Sequence, residues 1–410
     1  MKSGERVVII GASMGGLLAG RVLADHYEQV CLIERDTLPP AGENRKGVPQ
    51  GQHVHALLAA GREALETFFP GLTREIVELG GIRAGIERVR WFDHGGYHAR
   101  CSGIEALLVT RPRLETHIRA RLLALPNVRV LENRDALRPM TQDGTGRVVG
   151  VRALRHAKVT AVEEAFPADL VVDAGGRGSR TPAWLAEWGF PQPSEDVVQV
   201  SLGYSTRLYR RRPDQLNGDL AAIVVPTPPG TRGAAMLPIE GDRWMLTLFG
   251  LLGDHPPTDD RGFLDFTRSL PAPDICEVVE DAEPLTDPQP FKFPASSRRR
   301  YERLNRFPEG YLVFGDAICS FNPVYGQGMS VAALQAMALE SSLARGPDGL
   351  APRFFNQAAQ VVDTPWAIAA GGDLRYPGVD GTRTTMGRFI NWYLGKLHVA
   401  ARRDPQLTLA

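Results

Sequence analysis

Apolar positions recur with two different periods along this chain, and the switches between them lay out its elements. Arg6–Gly11 is a short continuous apolar run and reads as a buried strand. Ser13–His26 has helical spacing, and Gln29–Glu34 is a second buried strand, so the chain opens as a β-α-β unit. Asp36–Gln52 is rich in Pro, Gly and charge and reads as a loop. In Gln52–Phe69, the residues Leu57, Leu58, Leu65, Phe68 and Phe69 fall near one face, which predicts a helix. Leu114–Leu125 is a further amphipathic helix, stopped by Pro126. Val128–Leu131 and Val148–Leu154 read as strands joined through a Gly-rich turn at Gln142–Gly146. Asp169–Ala174 is an apolar strand running into the glycine cluster Gly175–Gly178.

From about Val197 the pattern changes. Val198–Tyr209, Leu220–Val225, Gly233–Ile239 and Trp244–Leu252 read as strands between Pro/Gly turns, which predicts a mainly antiparallel sheet. Gly262–Leu270 is a helix on that sheet. Tyr311–Gly315 is again a buried strand, followed by a Gly-rich turn and the helix Met329–Leu343. In Thr384–Arg403, Phe389, Ile390, Tyr393, Leu394, Leu397 and Ala401 share a face, with Arg388, Lys396, Arg402 and Arg403 elsewhere. This is the stripe of a helix packed over a pocket, in preference to one resting on a membrane.

A chain of 410 residues suits two interleaved domains. The expected fold class is α/β: a Rossmann-type dinucleotide domain built from 1–189 and 301–345, an inserted mixed-sheet domain over 190–300 (about Phe190 to Arg300), and a C-terminal helical region over 346–410. Lys+Arg 47 balance Asp+Glu 47 with no basic tail, which argues against a nucleic-acid partner. Cys31, Cys101, Cys276 and Cys319 form no CxxC pair, so a reduced, cytoplasmic chain is expected. The basic, apolar start resembles a secretory leader, but glycines break it and Arg21 and Asp25 follow. No run reaches the ~18 apolar residues of a membrane span.

The chemistry begins at Gly11-Ala12-Ser13-Met14-Gly15-Gly16, which follows a strand and opens a helix. Small residues let backbone amides approach a pyrophosphate at the positive helix end, and Glu34, at the tip of the next strand, can accept from a ribose; Arg35 follows it. Ser13 stands where the usual fingerprint has its second glycine. This unit does not separate NAD from FAD. The second constellation does: Gly315-Asp316 after a strand, then Pro323-Val324-Tyr325-Gly326-Gln327-Gly328-Met329 opening a helix. Asp316 can accept from ribityl hydroxyls, and the amides of Gly328 and Met329 direct positive charge at the flavin N1–C2=O edge, favouring an anionic reduced flavin.

With these motifs the chain resembles the flavin-dependent monooxygenases of the p-hydroxybenzoate-hydroxylase fold, from the N-terminus to about Leu343. Gly315-Asp316 matches that family's GD motif. Arg111 in Thr110-Arg111 matches the arginine near the flavin phosphates, and Arg45 falls where a second flavin-contacting arginine lies. Gly175-Gly176-Arg177-Gly178-Ser179-Arg180 occupies the DG-motif position, with Gly175 for the Asp and Pro182 for the Arg. The segments 48–55 and 319–328 look like actinobacterial tailoring epoxidases and hydroxylases, distantly similar to squalene epoxidase; a halogenase Trp-x-Trp-x-Ile-Pro is lacking.

The resemblance implies non-covalent FAD, O2 as co-substrate, and NAD(P)H or a separate flavin reductase as electron source. It implies a C4a-hydroperoxide that transfers one oxygen to an apolar small molecule, by alkene epoxidation or hydroxylation. The cofactor carries the hard chemistry, so no catalytic acid, base or metal is named. The pocket walls are expected near Gly233–Phe249 and Pro323–Tyr325. A reductase of the geranylgeranyl-reductase type and a redox-inactive flavin binder are the alternatives. Because Gly175 replaces the DG-motif Asp, with Asp173 offset by two residues, slow direct reduction by NAD(P)H is expected. His53 and His55 are expected to bind no metal and to sit at the surface or in a cap, with lining of the flavin pocket as the alternative; Asp93, His94 and His98 lie in a Gly-rich hairpin, Cys319 reads as a buried filler, and Arg298–Arg300 reads as solvated surface.

Overall fold

The computed structural model describes residues 2–39, 42–142, 146–156 and 161–409. A five-stranded, all-parallel sheet runs in the order Tyr311–Val313, Leu170–Asp173, Gly4–Ile10, Tyr27–Ile33, Val128–Leu131. Parallel strands are covered on both faces, which is why these segments read as continuous apolar runs. Helices Met14–His26, Arg111–Leu123 and Gly328–Leu343 share one core with the sheet, including Ile9, Leu17, Leu32, Leu122, Val172 and Leu339.

The second sheet has eight strands in the order Cys319–Ser320, Gln289–Arg299, Glu195–Arg210, Arg243–Gly250, Arg232–Ile239, Ala221–Val224, Val89–Asp93, Gly96–Tyr97. All neighbours are antiparallel except Ala221–Val224 with Val89–Asp93. The sheet therefore recruits strands from 89–97 and 319–320 besides those within 190–300. The hairpin at Asp93–Gly96 is as its glycines predict. Helices Asp260–Arg268 and Asp274–Glu280 pack on one face through Phe263, Phe266, Ile275 and Trp244. The expected α/β architecture, with a mixed inserted sheet and C-terminal helices, is the one observed.

Several elements differ from expectation. The helix read over Gln52–Phe69 spans only Ala59–Phe68; Pro49–Gln52 is a 3-10 turn and Ala56–Leu57 a short strand. The reason is tertiary: His53 and the Val54 amide are tied to Thr206 and Thr247 of the second sheet, which pulls 53–58 out straight. A three-stranded sheet of Arg134–Thr141, Val148–Arg155 and Val162–Pro167 contains two strands that the apolar pattern does not show. Both are edge strands that mix charged and apolar residues, Val162–Pro167 largely exposed and Arg134–Thr141 mostly half-buried, so neither alternation nor an apolar run marks them, and Pro139 is tolerated at an edge. The turn expected at Gln142–Gly146 lies partly outside the described residues.

Arg298–Arg300 is not solvated surface. Arg298 is 3% exposed and pairs with Asp363 at 2.7 Å on the long helix Leu350–Asp373. Arg300 pairs with Asp196, and Arg299 donates to the Ala317 carbonyl at 3.1 Å. The stripe of helix Thr385–Ala401 is not a packed face either: Phe389, Ile390, Trp392 and Tyr393 are exposed, and only Ala401 of the helix is buried. Among the described residues no helix is long and apolar enough to cross a membrane, and the four cysteines are unpaired.

Candidate cofactor site and the buried acid beside it

The strand Gly4–Ile10 delivers the chain to a tight turn in which Gly11 has φ +96°, and helix Met14–His26 starts at once. A Cβ on Gly16 would collide with the Gly11 carbonyl oxygen, so only glycine lets helix and strand approach this closely. The first turn of the helix holds no acidic residue, and Ser13 at its N-cap makes no side-chain cap bond. The positive helix end therefore stays available to an anion.

A connected charge network surrounds this turn. Glu34 Oε2 accepts from the Ala12 amide at 2.8 Å and faces Arg45 Nη1 at 2.9 Å; Glu34 Oε1 accepts from the Asp36 amide at 3.1 Å. Arg45 also meets Glu115 at 3.0 Å and Asp36 at 3.3 Å. Ser13 Oγ donates to Glu115 Oε2 at 2.9 Å and accepts from Arg111 Nη2 at 3.1 Å. Burial works to raise the Glu115 carboxyl, but Arg111 and Arg45 hold it below the usual range. Burial likewise opposes the Arg45 charge, and Glu115 and Glu34 more than restore it. The sequence-predicted Gly11, Ser13, Met14, Gly15, Gly16, Glu34, Arg45 and Arg111 thus converge at the head of one helix, whereas Arg35 is exposed beyond them. Glu115 and Asp36 were missed. Glu115 lies one helical turn after Arg111, the spacing at which such pairs meet.

The second constellation sits where strand Tyr311–Val313 gives way to helix Gly328–Leu343. Gly315 has φ +70°, and its amide donates to the buried Gln335 Oε1 at 2.8 Å, which fixes the turn. Asp316 follows. Its side chain reaches solvent although protein surrounds it; burial pushes its carboxyl upward, against the pull of Arg111 and Arg177. Among the described residues it has no hydrogen-bond partner. Helix Gly328–Leu343 has no acidic residue in its first turn and no side-chain cap at Gln327. A Cβ on Gly328, or on Gly176 across from it in sequence order, would meet no atom within 4 Å. Two open helix ends, an idle carboxylate and open space over both glycine turns fit a group that is anionic at one end and a polyol in the middle. Pro323, Gly326, Gln327 and Met329 complete the loop, Met329 with its side chain buried.

At the DG-motif position Gly175 replaces the Asp, and the carboxylate that reaches the turn is Asp173: 1% exposed, it accepts from the Gly175 amide at 2.8 Å and from the Ser179 and Thr181 hydroxyls at 2.6 Å each. Asp173 is thus the organiser of the 175–181 turn. Arg177 lies 4.4 Å over the Phe293 ring, which carries the turn onto the second sheet.

Beside the flavin-type loop lies an apolar cluster of Leu202, Tyr204, Phe249, Phe293 and Tyr376, with Val324 and Trp366 packed on it. Of the expected walls, Phe249 and Val324 are present. His53 enters between Tyr204 and Phe291, with ring centroids 5.6 and 5.2 Å away, and its Nδ1 meets Thr206 Oγ1 at 2.7 Å. Burial pushes His53 down to about 4, and burial with Arg111 nearby does the same to His55, so both rings are neutral at neutral pH. Cys319 is buried, as expected of a filler.

The residue that sequence reading did not single out is Asp373, at the end of helix Leu350–Asp373. Its Oδ1 accepts from Asn322 Nδ2 at 2.9 Å and Tyr325 Oη at 3.1 Å, which pins the 322–326 loop from behind. Its Oδ2 is buried with no partner among the described residues. Burial pushes its pKa up to about 7, and Asn322 and Tyr325 pull only partly back. Gly372 has to be small, because a Cβ there would strike Tyr325 Oη.

Fold and site together define a dinucleotide-binding flavoprotein scaffold. The chain belongs to the FAD-binding domain family, whose model matches residues 5–353. It is 36% identical over 385 residues to protein Rv3254 of Mycobacterium tuberculosis (strain ATCC 25618 / H37Rv), covering 91% of this chain and 81% of that one. Its fold is similar to PqsL of Pseudomonas aeruginosa, solved with 2-aminobenzoylacetate (TM-score 0.67, 16% identity, 98% of each chain). It is also similar to p-nitrophenol 4-monooxygenase PnpA of Pseudomonas putida DLL-E4 (TM-score 0.67, 16% identity, 99% of this chain and 96% of that one). A third similar fold is that of the flavin-dependent halogenase CmlS (TM-score 0.70, 15% identity, 99% of this chain and 74% of that one).

Proposed function

We propose that this protein is an FAD-dependent monooxygenase that places one oxygen atom from O2 on an apolar small molecule, by hydroxylation or epoxidation. The observation that carries the reading is the idle, recessed Asp316 carboxylate beside the open end of helix Gly328–Leu343, next to an apolar cluster on the second sheet. The activities of two proteins with this fold, a nitrophenol monooxygenase and a halogenase, support oxygen chemistry at such a site. Bound and reduced, FAD would supply the oxygen-activating chemistry.

The chain's own residues bind, orient and exclude water. Glu34 takes the adenosine ribose, while the amides of Ser13, Met14, Gly15 and Gly16 with Arg45 and Arg111 take the pyrophosphate, and Gly11 shapes their turn. Asp316 takes the ribityl chain, its turn set by Gly315. Pro323, Gly326, Gln327, Gly328 and Met329, faced by Gly176, seat the isoalloxazine, and Arg35 lies at the ribose rim. The domain division follows, with FAD held by 1–189 and 301–345, substrate by 190–300, and the 346–410 helices behind the loop. His53, neutral and fixed by Thr206, is a polar mark in an otherwise apolar pocket. Asp373, whose pKa burial raises to about 7, titrates near neutral pH beside the loop that it pins. Electrons come from NAD(P)H, directly or through a separate flavin reductase; an intact Asp173 turn removes the reason for requiring the second.

The test is turnover under 18O2 with reduced flavin supplied. One labelled atom in the product is expected. Equal product formation under strict anaerobiosis would overturn the reading in favour of a reductase.

A further inference from the structure

The hairpin Val89–Asp93/Gly96–Tyr97 carries Asp93 at its turn and His98 just beyond it. Helix Thr385–Ala401 lies against the hairpin and presents His398. One ligand atom from each of Asp93, His98 and His398 lies within 4.8 Å of the other two. Asp93 Oδ1 is already committed, to His94 Nδ1 at 2.7 Å and Thr227 Oγ1 at 3.1 Å, which fixes the carboxylate. Its Oδ2 faces His398 Nδ1 at 3.4 Å, longer than a good hydrogen bond. His98 Nε2 is buried without a hydrogen-bond partner among the described residues. Both rings are held flat: His98 stacks on Trp91 at 5.7 Å, and His398 stacks on His94 at 5.2 Å.

A fixed carboxylate and two oriented imidazoles, one of them with a desolvated and idle nitrogen, are a donor set in search of a Lewis acid. We propose that Asp93, His98 and His398 bind one late first-row divalent cation, Zn2+ being the best match to two imidazoles and a carboxylate with an open position. Ligand atoms around zinc sit about 3.3 Å apart at ~2.0–2.1 Å bond lengths, so small side-chain rotations close the site. Arg375 and Arg402 are the cations facing the cluster, and they keep the affinity below that of a thiolate site. The ion would clamp the otherwise exposed C-terminal helix to the far edge of the eight-stranded sheet. An open cleft of about 620 Å³, lined in part by His94, Thr227 and Arg232, adjoins this edge. The site is separate from the flavin reading above and does not depend on it.

The experiment uses chelator-washed, FAD-loaded full-length protein titrated calorimetrically with ZnCl2, with MgCl2 as control. One Zn2+ per chain is expected, with no Mg2+ heat. His98→Gln and His398→Gln should each weaken Zn2+ binding about tenfold or more while leaving bound FAD unchanged. Absence of stoichiometric Zn2+ binding, or binding that both variants leave intact, overturns the proposal. If a variant fails to retain FAD, carbethoxylation of wild-type histidines decides: Zn2+ should protect two, and unprotected modification counts against the site.

Discussion

Asp373→Asn isolates the buried acid behind the flavin-type loop. The amide can keep the acceptor that takes Asn322 and Tyr325, and it is as neutral as the protonated acid. In the folded chain the Asp373 pKa is raised from 3.8 to about 7, chiefly by burial. Between those two values the folded state binds more protons than the unfolded state. The stability that comes with the shift is complete below pH ~4, falls as pH rises, and is gone above pH ~7. A shift of about 3 units corresponds to about 4 kcal/mol over the full range. Over the practical window from pH 5.5 to 8, about half of it, ~2 kcal/mol, should appear. The variant lacks this decline, so it should gain on wild type by that amount as pH rises. Urea unfolding of both proteins at saturating FAD, at pH 5.5 and pH 8, gives the double difference directly. A double difference below ~0.5 kcal/mol would show that Asp373 is ionised throughout. The description of a proton held behind the loop would then be wrong.

Further outcomes follow from other contacts. Glu34→Ala removes the ribose acceptor and one of the three carboxylates that Arg45 meets, and FAD affinity should fall by about 1–3 kcal/mol in a fluorescence titration; release of FAD from denatured wild-type protein is the outcome expected of non-covalent binding. Arg298→Ala breaks the tie between Gln289–Arg299 and helix Leu350–Asp373. It should cost about 1–3 kcal/mol in denaturant unfolding, less than a fully buried pair because Asp363 can return to water. Because Asp173 is present and bonded, NADPH should bleach the FAD-loaded protein in anaerobic stopped-flow at ~1 s⁻¹ or faster; no bleaching without an added reductase would restore the external-donor scheme.

What could be read from the sequence was what is decided within about thirty residues. The parallel strands announce themselves because both of their faces are buried, and the two glycine turns because a helix must start hard against a strand end. Glu34 and Asp316 were found by their offsets from those turns, which local geometry fixes, whereas Arg45 and Arg111 came only from the family resemblance. The edge strands 134–141 and 162–167 gave no pattern, since they send little against the core, Ala136 from one and Phe166 from the other. At the DG-motif position, counting residues cannot tell whether a carboxylate folds back on its own turn; Asp173 does so only once Ser179 and Thr181 are brought round. Asp373 and His398 look like ordinary helix residues. Their importance comes from desolvation and from neighbours distant in the chain, Asn322 and Tyr325 for one, Asp93 and His98 for the other. A pKa and a ligand set are properties of the space around a group, and that space exists only when the chain has closed on itself.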